Sequence, residues 1–197
     1  MTTLDIGCGS LKHRNSVGID LRKLEGVDII ADASFLPIRD DSCRGILLRH
    51  IVEHVADLVK LMTEIYRVSQ NRATVRIWTP HFSYYGSYRD LTHIHHLTSE
   101  SFDYFDPQTF LGKQFWFRKK VCFKVRKKRI KFIRDKKRFW NFLVEKIANR
   151  NRFFYESHIA WIFPAHELYF ELETCKDANH TVEPENISLG VAARVHI

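Results

Sequence analysis

Two glycines two positions apart, Gly7 and Gly9, follow the short apolar run Leu4-Asp5-Ile6. Residues without a Cβ at such a place let the backbone come close to a ligand. The next apolar run, Val17-Gly18-Ile19, closes on Asp20, and a carboxylate at a strand end can accept both hydroxyls of a ribose. Asp32 repeats that placement after Val27-Asp28-Ile29-Ile30-Ala31. A lone G-x-G is as readily a structural turn, and a lone acid a helix cap or turn former. Two acids at successive strand ends behind a glycine loop form a more specific set. Further along stand His50, His54, His81, His93, His95 and His96, each a candidate for proton transfer or for a structural hydrogen bond. His81 with His93, His95 and His96 can also be read as metal ligands. No H-E-x-x-H spacing or cysteine pair supports that reading, so no metal site is expected.

These residues need a scaffold, and the pattern around them supplies one. Leu4–Ile6, Val17–Asp20, Val27–Asp32 and Gly45–Leu48 are short runs bounded by turn residues, as buried parallel strands are. From Val55 to Ser69 the apolar residues Leu58, Val59, Met62, Ile65 and Tyr66 recur at helical spacing with charges between them. Ala73–Thr79 returns to a strand. Strands alternating with helix predict an α/β fold whose ligands bind at the carboxyl ends of the strands. Residues 81–105 read as loop plus short helix. Val121–Ile133 reads as a strand whose alternation slips near Lys127-Lys128, which predicts a bulge or turn. Trp140, Leu143, Val144 and Ile147 suit a helix, and Glu167–Glu173 a final strand. With no repeat and no low-complexity linker, residues 1–197 are expected to form one domain. Residues 1–80 would bind a cofactor and residues 81–197 the acceptor, with a basic segment at 118–138.

The 197 residues are 45% hydrophobic and 27% charged, which places the chain among globular proteins. No apolar run approaches a membrane span, and no signal peptide is expected from the first residues. Cys8, Cys43, Cys122 and Cys175 form no C-x-x-C pair, which suits a cytoplasmic location and argues against disulfides and a zinc ribbon. Of the 31 Lys and Arg residues, 13 lie between Arg118 and Arg138 beside one acid, Asp135. The other 18 face 22 acids, so the whole positive excess sits in this block. Such a block attracts nucleic acid or an anionic membrane surface, unless it is only a solvated face. Phe115, Trp116, Phe117, Phe123, Phe132, Phe139 and Trp140 interleave with its cations, as stacking groups in single-strand binding do, although their spacing also suits a core. A basic amphipathic helix from Lys136 to Arg150 would suit a membrane surface near a lipid-linked substrate.

Leu4-Asp5-Ile6-Gly7-Cys8-Gly9 resembles the first motif of class I S-adenosylmethionine-dependent methyltransferases. Gly18-Ile19-Asp20 is similar to their ribose-binding acid and Ala31-Asp32-Ala33 to their adenine-side acid. The resemblance continues through Leu36-Pro37 and Asp40-Asp41-Ser42 to His50-Ile51-Val52-Glu53-His54, an H-x-x-E-H stretch of the type-11 branch. Glu64–Val68, Trp78–His81 and Asp90-Leu91-Thr92-His93 extend it to about Phe105. It implies a Rossmann-like, mostly parallel sheet with helices on both faces and the last strand antiparallel. It also implies S-adenosyl-L-methionine as cofactor, contacted by Asp5, Gly7, Cys8, Gly9 and Asp20, and further by Leu21, Asp32, Ala33 and His50. Three departures stand out. Ser10 or Leu11 replaces the third glycine, Ser69–Arg72 replaces a glycine pair, and residues 7–16 are too few for the usual crossover helix.

The implied activity is direct, in-line transfer of a methyl group to an acceptor the sequence does not identify. Alignment and exclusion of water carry such a reaction, and alignment alone is worth about 7–11 kcal/mol. A base is needed only for an acceptor that carries a proton. His50, at the exit of the fourth strand, and His93, in the D-x-T-H stretch, are the implied catalytic pair. The fourth-strand exit lacks an N-P-P-Y-type stretch and the chain lacks a Pro-Cys nucleophile, against adenine amino and cytosine C5 methylation. The alternative is a binding protein for nucleic acid or anionic membrane on a degenerate methyltransferase fold.

Overall fold

A computed structural model describes residues 2–115, 121–134 and 140–176. Its strands are β1 (Thr2–Ile6), β2 (Val17–Asp20), β3 (Ile29–Ile30), β4 (Cys43–Arg49), β5 (Ser69–Pro80), β6 (Phe123–Lys131) and β7 (Glu167–Thr174). They make one sheet in the order β3-β2-β1-β4-β5-β7-β6. β1 to β5 run parallel, and β7 lies between β5 and β6, antiparallel to both. The expected Rossmann-like sheet with an antiparallel last strand is what forms. The expected run 27–32 narrows to the two residues of β3. The slip in β6 is a register shift between Val125 and Lys127, one or two residues before its expected place.

Alternation divides the sheet into two unlike faces. Leu4, Ile19, Ile46, Leu48, Val75, Ile77, Phe170 and Leu172 point to one side and are fully buried. There they meet α1 (Leu58–Val68), whose Leu61, Met62, Ile65 and Val68 are buried, and the 3-10 turn Ser101–Phe105, where Phe102 packs on Phe170 at 4.8 Å. α1 starts three residues later than its periodicity suggests, because the Asp57 side chain accepts from the Lys60 N–H and caps it there. α2 (Gly86–Arg89) and α3 (Phe110–Phe115) are short. α4 (Trp140–Arg150) flanks β6, where Asn149 bonds both the N–H and the C=O of Ile130. α5 (Arg152–Phe154) follows and passes into the π-turn Tyr155–Ile159.

On the other side, Leu47, Arg76, Trp78, Tyr169, Lys127 and Arg129 line an open depression of about 1090 Å³. The helical cover is therefore uneven rather than equal on both faces. The reason is chain length: the links β1–β2, β2–β3 and β3–β4 contain no helix among the described residues, so nothing crosses that face from the first half. No described helix is long and apolar enough to cross a membrane.

The link from β3 to β4 is held instead by side chains. Arg67 donates to the carbonyls of Leu36 and Ile38 and to the carboxylates of Asp40 and Glu64. Glu64 in turn accepts from the Leu36 N–H at 2.7 Å. Arg67→Met leaves two carbonyls and two carboxylates without their donor. It is expected to cost about 1–3 kcal/mol of stability, read as a lower urea midpoint with an unchanged slope.

Candidate functional site

The loop after β1 turns twice through left-handed backbone, at Gly7 (φ 68°) and Gly9 (φ 54°), which glycine adopts without strain. A Cβ on Gly7 would stand 2.7 Å from Ile51, so this glycine also serves packing. A Cβ on Gly9 would meet nothing within 4 Å, so the loop is open there. Asp20, almost buried, faces it: one carboxylate oxygen accepts from the Gly9 N–H at 2.9 Å, the other from the Arg22 N–H at 3.0 Å. Each oxygen keeps a lone pair. Asp32 lies at the end of β3 with its carboxylate exposed and one local bond, from the Ser34 N–H. Leu21 is exposed between the two acids, while Ala33 and Cys8 are buried.

Asp5 has a different setting. It is fully buried, and its Oδ2 accepts from the His13 N–H at 2.7 Å and from Arg49 at 2.6 Å. The same Arg49 nitrogen reaches the Leu11 carbonyl. Asp5 thus anchors the loop of residues 7–16, and its Oδ1 is left without a partner.

At the carboxyl end of β4, His50 has a positive φ of 53°. Its Nε2 lies 3.2 Å from Glu167 at the start of β7, and its Nδ1 lies 3.4 Å from Glu53 Oε1. Glu167 first, then Glu53, raise the His50 imidazole to about 9, so it is an imidazolium at neutral pH. Burial pushes the Glu167 carboxyl up, but hydrogen bonds from His50 and Lys131 outweigh it and hold it below its ordinary value. Glu53 is buried, accepts from the Thr79 hydroxyl, and offers its backbone carbonyl to the N–H groups of Ile94 and His95. It ties the 90–96 loop to the strand ends.

The other histidines separate by partner. His81 is fully buried, with Nδ1 on Ser83 and Nε2 on Glu156, so it is structural. His95 bonds the Val55 carbonyl, and His96 bonds Ser87 and stacks on Tyr88. His93 bonds the Ser87 carbonyl through Nδ1, and its ring stands edge-on to His54 at 4.6 Å. The histidines expected to make any metal group do not gather. Instead Glu53, His54 and His93 offer ligand atoms within 4.8 Å of one another.

These positions have counterparts in known proteins. Residues 4–77 match the type-11 family model described as a methyltransferase domain. The match runs from β1 into β5. A [4+2]-cyclase, SpnF, superposes with a TM-score of 0.56 at 14% identity, over 88% of this chain and 74% of its own. An S-adenosylmethionine-dependent methyltransferase from Archaeoglobus fulgidus gives 0.52 at 16% identity, over 88% and 86%. A phosphoethanolamine N-methyltransferase from Haemonchus contortus, in complex with S-adenosyl-L-methionine, gives 0.51 at 14% identity, over 88% and 48%. At such identities these likenesses establish the fold. No curated protein matches the chain.

The loop after β1 fits the S-adenosylmethionine that the sequence implies: the space at Gly9 is open, and Asp20 and the exposed Asp32 retain acceptor capacity beside it. Glu167 is a site residue that sequence spacing missed. It lies 117 positions from His50, and only the pairing of Pro80 with Glu167 carries it to the strand ends. Of the basic block, Arg118, residues 119–120 and residues 135–138 lie outside the described residues, as do Trp116, Phe117 and Phe139. Within the described part Arg126 pairs with Glu173, Lys128 with Asp103, Lys131 with Glu167 and Arg134 with Glu145. Phe123 and Phe132 are core, whereas Trp140 is exposed.

The His50 pair makes a measurable claim. By NMR the His50 ring is expected to titrate near pH 9, and Glu167→Gln to move that titration down toward the ordinary 6.5. Because the folded value lies above the unfolded one, the stabilisation is full below about pH 6.5 and is lost as pH rises through 9. An unchanged titration in Glu167→Gln would show that Glu167 does not hold the proton there.

Proposed function

We propose that the chain is an S-adenosylmethionine-dependent methyltransferase that passes the methyl group directly, in line, to an acceptor held by residues 81–176. The observation that supports this best is the glycine loop, left-handed at Gly7 and Gly9 and open at Gly9, facing Asp20 with Asp32 next in line. When bound, the cofactor supplies a methyl group activated on a sulfonium. Asp20 and Asp32 would hold its ribose and adenine ends, with Leu21 and Ala33 beside the base. Asp5 acts at one remove, by holding the loop that approaches the ligand.

His50 and His93 are the proposed catalytic pair on the acceptor side. His50 starts as an imidazolium between two carboxylates, and that negative surround offsets its charge beside a cationic donor. Where the acceptor carries a proton, only neutral His50 can take it. Activity should therefore climb about tenfold per pH unit from 7 toward 9, read as kcat/KM. A profile that is flat over that range would remove His50 as the base. His93, with Nδ1 on the Ser87 carbonyl and Nε2 3.9 Å from the Asp90 carboxylate, would present that Nε2 to the acceptor.

Cofactor binding is the first test, by calorimetry with S-adenosylhomocysteine. Asp32→Ala disturbs only one local bond and is the clean variant, whereas Asp20→Ala also frees Gly9. Each is expected to weaken binding by about 1–3 kcal/mol, since hydroxyl or amino donors lose their acceptor. Wild-type affinity in both variants would sink the assignment of Asp20 and Asp32 as cofactor contacts. Labelled cofactor offered to RNA, protein and small-molecule pools then identifies the acceptor. The fold of the [4+2]-cyclase makes that screen necessary, since a shared fold does not fix the chemistry.

A further inference from the structure

The surface between residues 140 and 163 gathers large exposed apolar side chains among the described residues. Phe153, Trp161 and Ile162 are 67%, 67% and 71% exposed, and Phe142, Leu143 and Ile147 about half exposed. Lone exposed apolar side chains need no explanation, but a contiguous run of large ones marks an interaction surface. α4 packs against both α5 and the π-turn, so these residues belong to one neighbourhood. On α4, Leu143, Ile147 and Arg150 recur at helical spacing on the outward side, and Lys146 stands over the Phe142 ring at 4.3 Å.

The charges of this surface have one sign. Lys146 and Arg150 are exposed, whereas the two acids in the stretch turn inward. Glu145 bonds the Phe132 N–H and Arg134, and Glu156 bonds Ser99 and His81. Immediately before α4 runs the basic block, 13 cations to one acid. Exposed Trp, Phe and Ile beside Lys and Arg are the composition of surfaces that sit at an anionic bilayer, the rings at headgroup depth and the cations at the phosphates.

The surface also leads to the acceptor side of the candidate site. The Trp161 ring packs on Phe82 at 5.3 Å and on Tyr88 at 6.5 Å, and Tyr88 stacks on His96 at 4.1 Å. Tyr88 is itself half exposed, and Ile94 and Leu91, on either side of His93, are exposed too. We infer that residues 140–163 dock the protein on an anionic membrane surface, with the 82–96 rim turned toward the lipid. The acceptor that fits this placement is an amphiphile whose polar head reaches the rim from the bilayer. The docking stands on the surface alone, and the nature of the acceptor rests on the methyltransferase reading.

Nucleic acid is the competing polyanion, and the geometry does not favour it. Stacking a single strand needs exposed rings beside cations that are free to meet phosphates. On the open sheet face Arg76 already pairs with Glu171 and Lys131 with Glu167, which leaves Lys127 and Arg129 beside the partly buried rings of Trp78 and Tyr169. The exposed rings lie instead on α4, α5 and the turn after them.

The test uses the full chain in flotation with vesicles of phosphatidylcholine alone or with about one-third phosphatidylglycerol. Binding to the anionic vesicles is expected, with Trp fluorescence shifted to the blue, and clearly weaker binding to phosphatidylcholine alone. Phe153→Ser, and separately Trp161→Ser with Ile162→Ser, should each lower partitioning by about tenfold. Lys146→Gln with Arg150→Gln should reduce the preference for anionic lipid and flatten its salt dependence. Val59→Ser, an exposed apolar residue on α1, should change nothing. Because the altered residues are exposed, circular dichroism and S-adenosylhomocysteine binding should match wild type. Wild type that stays with the vesicle-free fraction overturns the docking, as does equal partitioning of all variants. Binding of a single-stranded RNA oligonucleotide without vesicle binding, or a homodimer that the same substitutions dissolve without vesicle binding, overturns it in favour of those partners. If wild type binds vesicles but not S-adenosylhomocysteine, the docking stands and the methyltransferase reading fails.

Discussion

The buried carboxylate of Asp5 is the contact on which the glycine loop after β1 depends. It sits on β1 with no exposed surface, takes Arg49 from β4 and the His13 N–H from the loop, and Arg49 also reaches Leu11. In a sheet of this kind a crossover helix normally packs the first link in place. Here residues 7–16 are too short for one, and the Asp5 clamp holds the loop together with the Lys12–Asp28 ion pair and the Gly9–Asp20 hydrogen bond. A buried charge is costly unless paired, so the clamp has little freedom to let go. Gly9 is consequently presented at a defined place, with Asp20 behind it.

The carboxyl ends of the strands are organised by a second buried acid, Glu53. Its side chain meets Thr79 and stands beside His50, and its backbone carbonyl receives the loop that carries His93. Through it the exits of β4 and β5 and the 90–96 loop become one unit. His50 then experiences two carboxylates, Glu53 and Glu167, and its proton is held well above the usual range. The same negative environment makes it a poor base at neutral pH.

The short links have a consequence at the level of the whole surface. Without helices from the first half, the polar side of the sheet stays open and is covered by its own cross-strand ion pairs, Arg76–Glu171 and Lys131–Glu167. The apolar side is closed by α1 and by the segment from the 3-10 turn onward, whose outer surface is left rich in exposed rings. Cross-strand ion pairs and exposed rings are thereby sorted onto different parts of the molecule.

The sequence by itself determined the elements whose information is local. The runs around Asp20, Leu47 and Val75, the helix ending at Val68, and the spacing of Gly7, Gly9, Asp20 and Asp32 all follow from alternation, periodicity and turn chemistry within a few residues. Even the phase slip in β6 was legible, since a bulge changes which side chains face the core. Only tertiary structure decided which distant groups meet. Nothing near His50 in the chain points to Glu167, and nothing in the H-x-H-H run shows that His81 is committed to Glu156 while His54 stands against His93. The basic block was equally ambiguous: four of its cations prove to be cross-strand or helix partners of acids far away in sequence. Pairing across a sheet brings residues together by register, and register between segments a hundred residues apart is a property of the packed fold, not of any stretch of chain.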